Sequence, residues 1–201
     1  MLDATLRRFI DPPLDAMARP LVEAGISANG VTLAGFALGL SAVPLLASDA
    51  YGWALLAILA NRLADGLDGA IARRRGPTDL GGYLDIVCDF TFYGAVVMGF
   101  ILAAPENRVA GAFLLLAFIG TGSSFLAFAA LAARRGLETK ARGSKSLYYL
   151  GGLTEGSETI VLFVLCCLFP RAFSALAWIF AAACWLTTSS RVIAAWRALC
   201  E

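Results

Sequence analysis

Histidine is absent from the 201-residue sequence. Because imidazole is the side chain that titrates nearest to neutral pH, this absence excludes histidine-based acid–base catalysis, phosphohistidine chemistry and imidazole metal ligands. Charged residues are scarce: they make up 15% of the chain, against 59% hydrophobic residues and a mean hydropathy of +0.75. A soluble domain of this length carries more charge, so the composition favours a membrane protein.

Cysteines are few, and none of the five lies at a metal-ligand spacing. Their number is odd, and all but Cys200 lie in apolar stretches. We therefore interpret the cysteines as small buried hydrophobic residues.

Long apolar runs predict six membrane spans, because a helix needs about 20 mostly apolar residues to cross a bilayer. The polar breaks between these runs place the spans at roughly 31–48, 51–73, 80–104, 109–133, 147–169 and 172–196. The second span is the least regular, since only its first half is uniformly apolar. The sequence thus predicts an all-α, polytopic integral membrane protein with a single domain over residues 1–201.

Basic residues predict the orientation of these spans. Of the 16 Lys and Arg residues, all except Arg108 and Arg171 fall on the same side of the membrane as the N-terminus in this arrangement of spans. The positive-inside rule then places both termini in the cytoplasm.

Residues 4–25 mix apolar and charged positions and are broken by Pro12–Pro13. We predict an amphipathic helix at the cytoplasmic interface, within an arm of residues 1–28 that precedes a six-helix bundle over 29–201. The other interpretation is a short solvated arm.

Four aspartates stand close together in this apolar chain. Asp65 and Asp68 are spaced i, i+3, and Asp85 and Asp89 are spaced i, i+4, so each pair lies on one helix face. Charged side chains within a membrane are costly and usually functional. If the two faces met, the carboxylates would repel one another unless a divalent cation neutralised them, and oxygen ligands suit Mg²⁺, Mn²⁺ or Ca²⁺ rather than Zn²⁺.

Glycines flank the aspartates at helical spacing. Gly69 lies four residues after Asp65 and four before Arg73, and Gly81 lies four before Asp85. A missing side chain beside a metal ligand leaves room for a diphosphate, whose remaining charge Arg73 could neutralise. The other interpretation is a structural set of buried acids that pair with nearby arginines. Those arginines are Arg62, Arg73 and Arg74.

The spacing of these residues resembles the motif of the CDP-alcohol phosphotransferases, D-x2-D-G-x2-A-R-x8-G-x3-D-x3-D. The matching positions are Asp65, Asp68, Gly69, Ala72, Arg73, Gly81, Asp85 and Asp89. The chain departs from the pattern at one point, since seven residues rather than eight separate Arg73 from Gly81. The missing residue falls in the predicted turn between two helices. The ligand contacts of that turn, above all those of Thr78, could therefore differ from those of the family.

The resemblance implies a reaction in which an acceptor hydroxyl attacks the β-phosphorus of a CDP-alcohol and CMP leaves. It implies two Mg²⁺ or Mn²⁺ ions, one held by Asp65, Asp68 and Asp85 and the other by Asp65, Asp85 and Asp89. Asp89 would be the general base. The residues that it places at the CDP moiety are Asn29, Thr32, Gly69, Ala72, Arg73, Thr78 and Gly81.

The resemblance also implies partners and a location. The expected donor is a CDP-activated lipid, CDP-diacylglycerol above all, because a short six-span chain suits a bacterial enzyme of this type. The reverse arrangement, a CDP-linked head group with a lipid acceptor, stays open. We expect a homodimer in the bacterial inner membrane, surrounded by lipid, with a cytoplasmic active site and no nucleic-acid partner.

Two segments are candidates for binding the acceptor alcohol. Lys140, Arg142 and Lys145 lie in a basic loop that could hold an acceptor phosphate or simply anchor the chain to anionic lipid. Glu155 and Glu158 could face the site, or could stabilise a helix start with Thr154 as its N-cap.

Two other classes of protein use intramembrane acids. An Asp-rich prenyltransferase would also bind a diphosphate through Mg²⁺, and a cation transporter would line its path with carboxylates. Neither accounts well for the Asp-Gly and Ala-Arg elements of the motif. A lipid-diphosphate phosphatase is disfavoured by the missing histidine.

Overall fold

The computed structural model describes residues 2–135 and 153–200, and the side chains from residue 10 onward within those ranges. Regular structure in these residues is entirely helical. The α-helices are α1 (Leu2–Glu23), α2 (Ala28–Leu40), α3 (Ala42–Ala47), α4 (Tyr51–Arg75), α5 (Asp79–Ala103), α6 (Arg108–Arg134), α7 (Gly156–Leu168) and α8 (Phe173–Cys200). Short 3₁₀ turns at Pro105–Asn107 and Pro170–Ala172 precede α6 and α8.

Four helical stretches in the described residues are long and apolar enough to cross a membrane: Ala28–Ala47, Asp79–Ala103, Pro105–Arg134 and Pro170–Cys200. This confirms an all-α membrane protein. Helix α4 matches the predicted second span but is not among these four stretches, and α7 has only 13 residues. Residues 147–152 of the predicted fifth span lie outside the described residues, so the count of six spans stays a prediction.

Helix α1 contradicts the expectation of a break at Pro12–Pro13, because it continues through both prolines and through Pro20. Prolines in a helix interior cost about 3 kcal/mol, since they lack the N–H of the helical hydrogen bond. Packing opposes that cost: Leu14 and Ala18, one turn apart, are buried against Ala70 of α4. The position of α1 at the membrane interface remains a prediction.

The main core lies between α3, α4, α5, α6, α7 and α8, and its largest fully buried side chains include Phe92, Phe100 and Phe163. Cys166, Cys167 and Cys184 are buried in it, as expected. The expectation does not hold for the other two cysteines. Cys88 is half-buried because it lies beside a cavity, and Cys200 is exposed at the end of α8.

Candidate active site

Helices α2, α4 and α5 enclose a small polar cavity. The two helices α2 and α4 come close because Gly35 has no side chain where it meets the Cβ of Ala64. The cavity is lined by Thr32, Gly35, Phe36, Asn61, Arg62, Asp65, Asp68, Asp85, Cys88 and Asp89. All four aspartates of the sequence motif therefore border one cavity.

Three of these aspartates form a compact group. One carboxylate oxygen from each of Asp65, Asp68 and Asp85 lies within 4.8 Å of the other two. Asp68 is buried, and its Oδ2 accepts a hydrogen bond of 2.5 Å from the Thr32 hydroxyl of α2. Three carboxylates from two helices are a donor set that fits Mg²⁺ or Mn²⁺, which prefer hard oxygen ligands. The structure thus brings together the faces of α4 and α5 that the spacing identified.

Asp89 lies one turn further along α5, where it pairs with Arg62. Nη2 of Arg62 is 2.6 Å from Oδ1 of Asp89, and Nη1 is 3.6 Å from Oδ2 of Asp65. The hydroxyl of Tyr93 lies 3.5 Å from the other oxygen of Asp89. The sequence indicated Arg62 only as a structural partner of the acids, and the structure places it inside the site.

Three of the predicted nucleotide residues, Asn29, Thr78 and Gly81, meet near the turn between α4 and α5. Helix α4 ends at Arg75 and α5 begins at Asp79, so a turn lies between Arg73 and Gly81, where the motif is one residue short. The Thr78 hydroxyl caps α5 by accepting a 3.0 Å hydrogen bond from the Gly81 N–H. A Cβ on Gly81 would lie 3.1 Å from Oδ1 of Asn29, so these three residues converge.

Of the remaining predicted nucleotide residues, Thr32 lies in α2 and donates a hydrogen bond to Asp68, and the other three follow α4 toward its C-terminal end. Gly69 is half-buried, and a Cβ there would lie 3.5 Å from Nη1 of Arg73. Ala72 is half-buried and Arg73 is exposed. A glycine beside an exposed guanidinium leaves open space next to the carboxylate group.

Helix α1 binds the arginines at the end of α4, a contact that the sequence did not indicate. Arg73 lies 3.7 Å from Asp11. Arg74 donates from Nε and Nη2 to the two oxygens of Asp15, at 2.9 and 2.5 Å. This hydrogen bonding by Arg74 lowers the pKa of the Asp15 carboxyl from its ordinary value of 3.8. The i, i+4 spacing of Asp11 and Asp15, which puts both acids on one helix face, is a sequence signal that could have suggested the contact.

The alternative interpretation paired the motif aspartates with Arg62, Arg73 and Arg74. In the described residues this pairing is observed for Arg62. The described partners of Arg73 and Arg74 are the α1 aspartates, which lie outside the motif.

The start of α7 has a different N-cap from the one expected. Glu155, not Thr154, is the N-cap, and it forms a capping box in which the Glu158 carboxylate accepts a 3.2 Å hydrogen bond from the Glu155 N–H. Thr154 is buried instead, with its hydroxyl hydrogen-bonded to that of Thr187 in α8. The helix-start interpretation of the two glutamates is therefore confirmed.

The segment lies near the site, as expected, since a Cβ on Gly156 would be 3.2 Å from the Tyr93 hydroxyl. Acceptor binding by Glu155 and Glu158 stays a prediction. Lys140, Arg142 and Lys145 lie outside the described residues.

The helical membrane fold and its acidic cavity, whose donor set fits a divalent cation, are features of membrane enzymes that act on phosphate-bearing substrates. The sequence model of the family described as CDP-alcohol phosphatidyltransferase matches residues 26–190. The chain belongs to that family, and it is a transferase of substituted phosphate groups in phospholipid biosynthesis. Of the classes that the sequence left open, the family assignment supports the transferase.

Two relatives cover most of the chain. Inner membrane protein YnjF of Escherichia coli (strain K12) is 59% identical over 193 residues, which are 96% of this chain and 94% of the relative. The phosphatidylinositol phosphate synthase of Mycobacteroides abscessus is 30% identical over 189 residues, 88% of this chain and 80% of that protein.

Solved structures of a Mycobacterium tuberculosis phosphatidylinositol phosphate synthase share the fold. The structure with CDP-DAG bound has a TM-score of 0.74 and 25% identity, covering 91% of this chain and 93% of that one. The structure in complex with manganese and citrate has a TM-score of 0.71 and 26% identity, covering 91% and 88%.

Proposed function

We propose that this enzyme transfers a phosphatidyl group from CDP-diacylglycerol to the hydroxyl of a small polar alcohol and releases CMP. The observation that carries the proposal is the convergence of Asp65, Asp68 and Asp85 within 4.8 Å on the positions of the family motif. The related synthase with CDP-DAG bound supports the choice of donor.

Asp65, Asp68 and Asp85 would hold one divalent cation, Mg²⁺ or Mn²⁺, and Asp65, Asp85 and Asp89 a second. When bound, such a cation would neutralise charge on the diphosphate of the donor. The related structure with manganese supports the choice of metal. The donor set fits the first ion directly, whereas Asp89 pairs with Arg62.

The chain's own residues would bind the nucleotide and position its diphosphate. Asn29, Thr78 and Gly81 form one side of the cytidine nucleotide site, with the Thr32 hydroxyl next to Asp68. Gly69 and Ala72 leave space for the diphosphate, and Arg73 neutralises part of its charge. Positioning and electrostatic stabilisation of this kind account for most of the catalysis in phosphoryl transfer.

Asp89 is the proposed general base. The acceptor oxygen forms a bond to the β-phosphorus while the bond from that phosphorus to the bridging oxygen breaks. CMP leaves with the electron pair, and the hydroxyl proton of the acceptor passes to the Asp89 carboxylate. In the structure, Nη2 of Arg62 lies 2.6 Å from Oδ1 of that carboxylate.

The acceptor we propose carries a phosphate of its own, such as inositol phosphate or glycerol 3-phosphate. The relatives named as phosphatidylinositol phosphate synthases support the first of these. Lys140, Arg142 and Lys145 would bind this phosphate, and Glu155 and Glu158 would lie beside the acceptor hydroxyls. If alanine at each of the three basic positions leaves the acceptor KM unchanged, the loop is a lipid anchor instead.

We place the enzyme in a bacterial inner membrane, with six spans, both termini and the active site facing the cytoplasm. The relative named as an Escherichia coli inner membrane protein supports the membrane, and Arg73, Arg74 and Arg75 beside the site support the orientation. A homodimer is proposed from family resemblance.

The test measures CMP release by the purified protein from CDP-diacylglycerol, with Mg²⁺ or Mn²⁺, against separate acceptors. Asp68→Asn removes one carboxylate of the compact group and is expected to lower CMP release by ~100-fold or more. Asp49→Asn, in the turn before α4, is the matched control and should leave the rate unchanged. Metal-dependent ion flux without CMP release, or normal release by Asp68→Asn, would contradict the proposal.

A further inference from the structure

The Arg62 guanidinium is fixed inside the active site and contacts two of the four motif aspartates. Its side chain is 16% exposed and lies 2.6 Å from Asp89 and 3.6 Å from Asp65. The guanidinium also lies over two aromatic rings, 5.1 Å from the centroid of Phe92 and 5.5 Å from that of Tyr93. A cation so placed is stabilised by the rings as well as by the carboxylates.

A second set of contacts fixes Arg62 independently of the acids. Oδ1 of Asn61 accepts hydrogen bonds from Nε at 3.0 Å and from Nη2 at 2.7 Å. Asn61 is itself buried, and its amide donates to the backbone carbonyl of Gly35 in α2 at 3.0 Å. The position of the guanidinium is therefore set by the packing of α2 on α4.

Asp65 and Asp89 are also ligands of the second cation in the proposed function, on which this inference rests. A guanidinium and a metal ion both carry positive charge and repel each other. A carboxylate that binds the guanidinium therefore binds a metal ion less strongly. We propose that Arg62 competes with the second divalent cation for Asp65 and Asp89. The two ions then bind unequally: the first binds tightly at Asp68 and Asp85 with Asp65, and the second binds only as Arg62 gives up Asp89.

The test is a titration of the purified protein with Mn²⁺ alone. Binding is measured by calorimetry and by the electron paramagnetic resonance signal of free Mn²⁺. Wild-type protein should bind one ion tightly and a second at least ~10-fold more weakly, or not at all in the accessible range. Arg62→Gln keeps a donor for Asn61 but removes the charge, and it should tighten the second site by at least ~10-fold. Arg62→Met is a second variant without charge, for use if Arg62→Gln is not monodisperse.

Two further variants identify the source of any change. Arg75→Gln removes an arginine of the same helix whose described side-chain hydrogen bonds go to the backbone carbonyls of Val22 in α1 and of Gly25 just after it, and it should keep the wild-type pattern. Combining Arg62→Gln with Asp89→Asn should abolish the gain, because the second ion then loses a ligand.

Equal affinities for two ions in the wild type, or an unchanged second site in both Arg62 variants, would overturn the competition. Absence of any tight Mn²⁺ site in the wild type would instead count against the proposed function, so the two failures are distinguishable.

Discussion

Asp15 of α1 and Arg74 of α4, 59 residues apart in sequence, form a two-point ion pair at 2.9 and 2.5 Å. Arg73 and Arg75 on either side also contact α1 or the segment just after it, through Asp11 and the carbonyls of Val22 and Gly25. Helix α1 is thereby attached to the end of the helix that carries Asp65 and Asp68.

Replacement of Asp15 by Asn should lower the melting temperature at pH 7 by a small amount, ~1–3 °C, because the variant loses the charge that Arg74 binds. The folded-state pKa of Asp15 is depressed below 3.8, so the stabilisation is present above that pH. It is lost as the pH falls through the folded-state pKa. Melting temperatures of both proteins between pH 7 and pH 3 check this expectation.

Glu23→Gln is the matched control for Asp15, since its pair with Arg19 is largely exposed and should contribute little. A difference between wild type and Asp15→Asn that grows on acidification would contradict the assignment.

Replacement of Asp89 by Asn should lower CMP release by at least ~100-fold, because the variant has no carboxylate to accept the hydroxyl proton. The amide oxygen can still accept the hydrogen bond from Arg62, so the protein should stay folded. Initial rates of CMP release, with the elution profile and melting temperature as checks of folding, measure the effect. Near-normal turnover would remove the assignment of Asp89 as the base.

Replacement of Gly35 by Ala should destabilise the protein by ~1–3 kcal/mol, because the new Cβ would meet the Cβ of Ala64 and force α2 away from α4. Gly52→Ala is the control: a Cβ there has no neighbour within 4 Å, and alanine favours a helix. Thermal unfolding of the two variants should give shifts of opposite sign. Equal stability of Gly35→Ala and the wild type would mean that the helices can separate without cost.

Replacement of Gly76 by Ala should also destabilise the protein, by ~1–3 kcal/mol, because Gly76 has φ +96° in the turn between α4 and α5. The strain falls on the turn that sets the distance between the two halves of the motif, so CMP release should decrease as well. Gly82→Ala, in the first turn of α5 and with open space around it, should leave CMP release unchanged and should not lower stability, because alanine favours a helix. Equal activity and stability of both variants would show that the turn tolerates an ordinary residue.

The spacing of the aspartates was enough to predict that each pair lies on one helix face, because positions three or four apart on a helix face the same way, whereas the meeting of the two faces followed from the family resemblance. The same reasoning placed the missing motif residue in the turn, where a deletion changes no helical register. Apolar runs gave the all-α membrane class for a similar reason, since a bilayer demands long stretches of one composition.

Features that depend on contacts between distant segments were not predictable from spacing. The continuation of α1 through Pro12 and Pro13 depends on burial against α4, which no local propensity indicates. The place of Arg62 depends on Asn61 and on the rings of α5. The expected N-cap of α7 was Thr154, and the observed one is Glu155. The Thr154 hydroxyl is instead hydrogen-bonded to Thr187 of another helix.

The uneven character of α4, apolar in its first half and charged in its second, bears on how the chain enters the bilayer during synthesis. A segment with Arg62, Asp65 and Asp68 in its interior is a poor substrate for insertion on its own. In the other helices, the described partners of Arg62 and Asp68 lie in α5 and α2, and α5 is made later. If α4 is the predicted second span, we expect it to integrate stably only together with α5, as a helical hairpin.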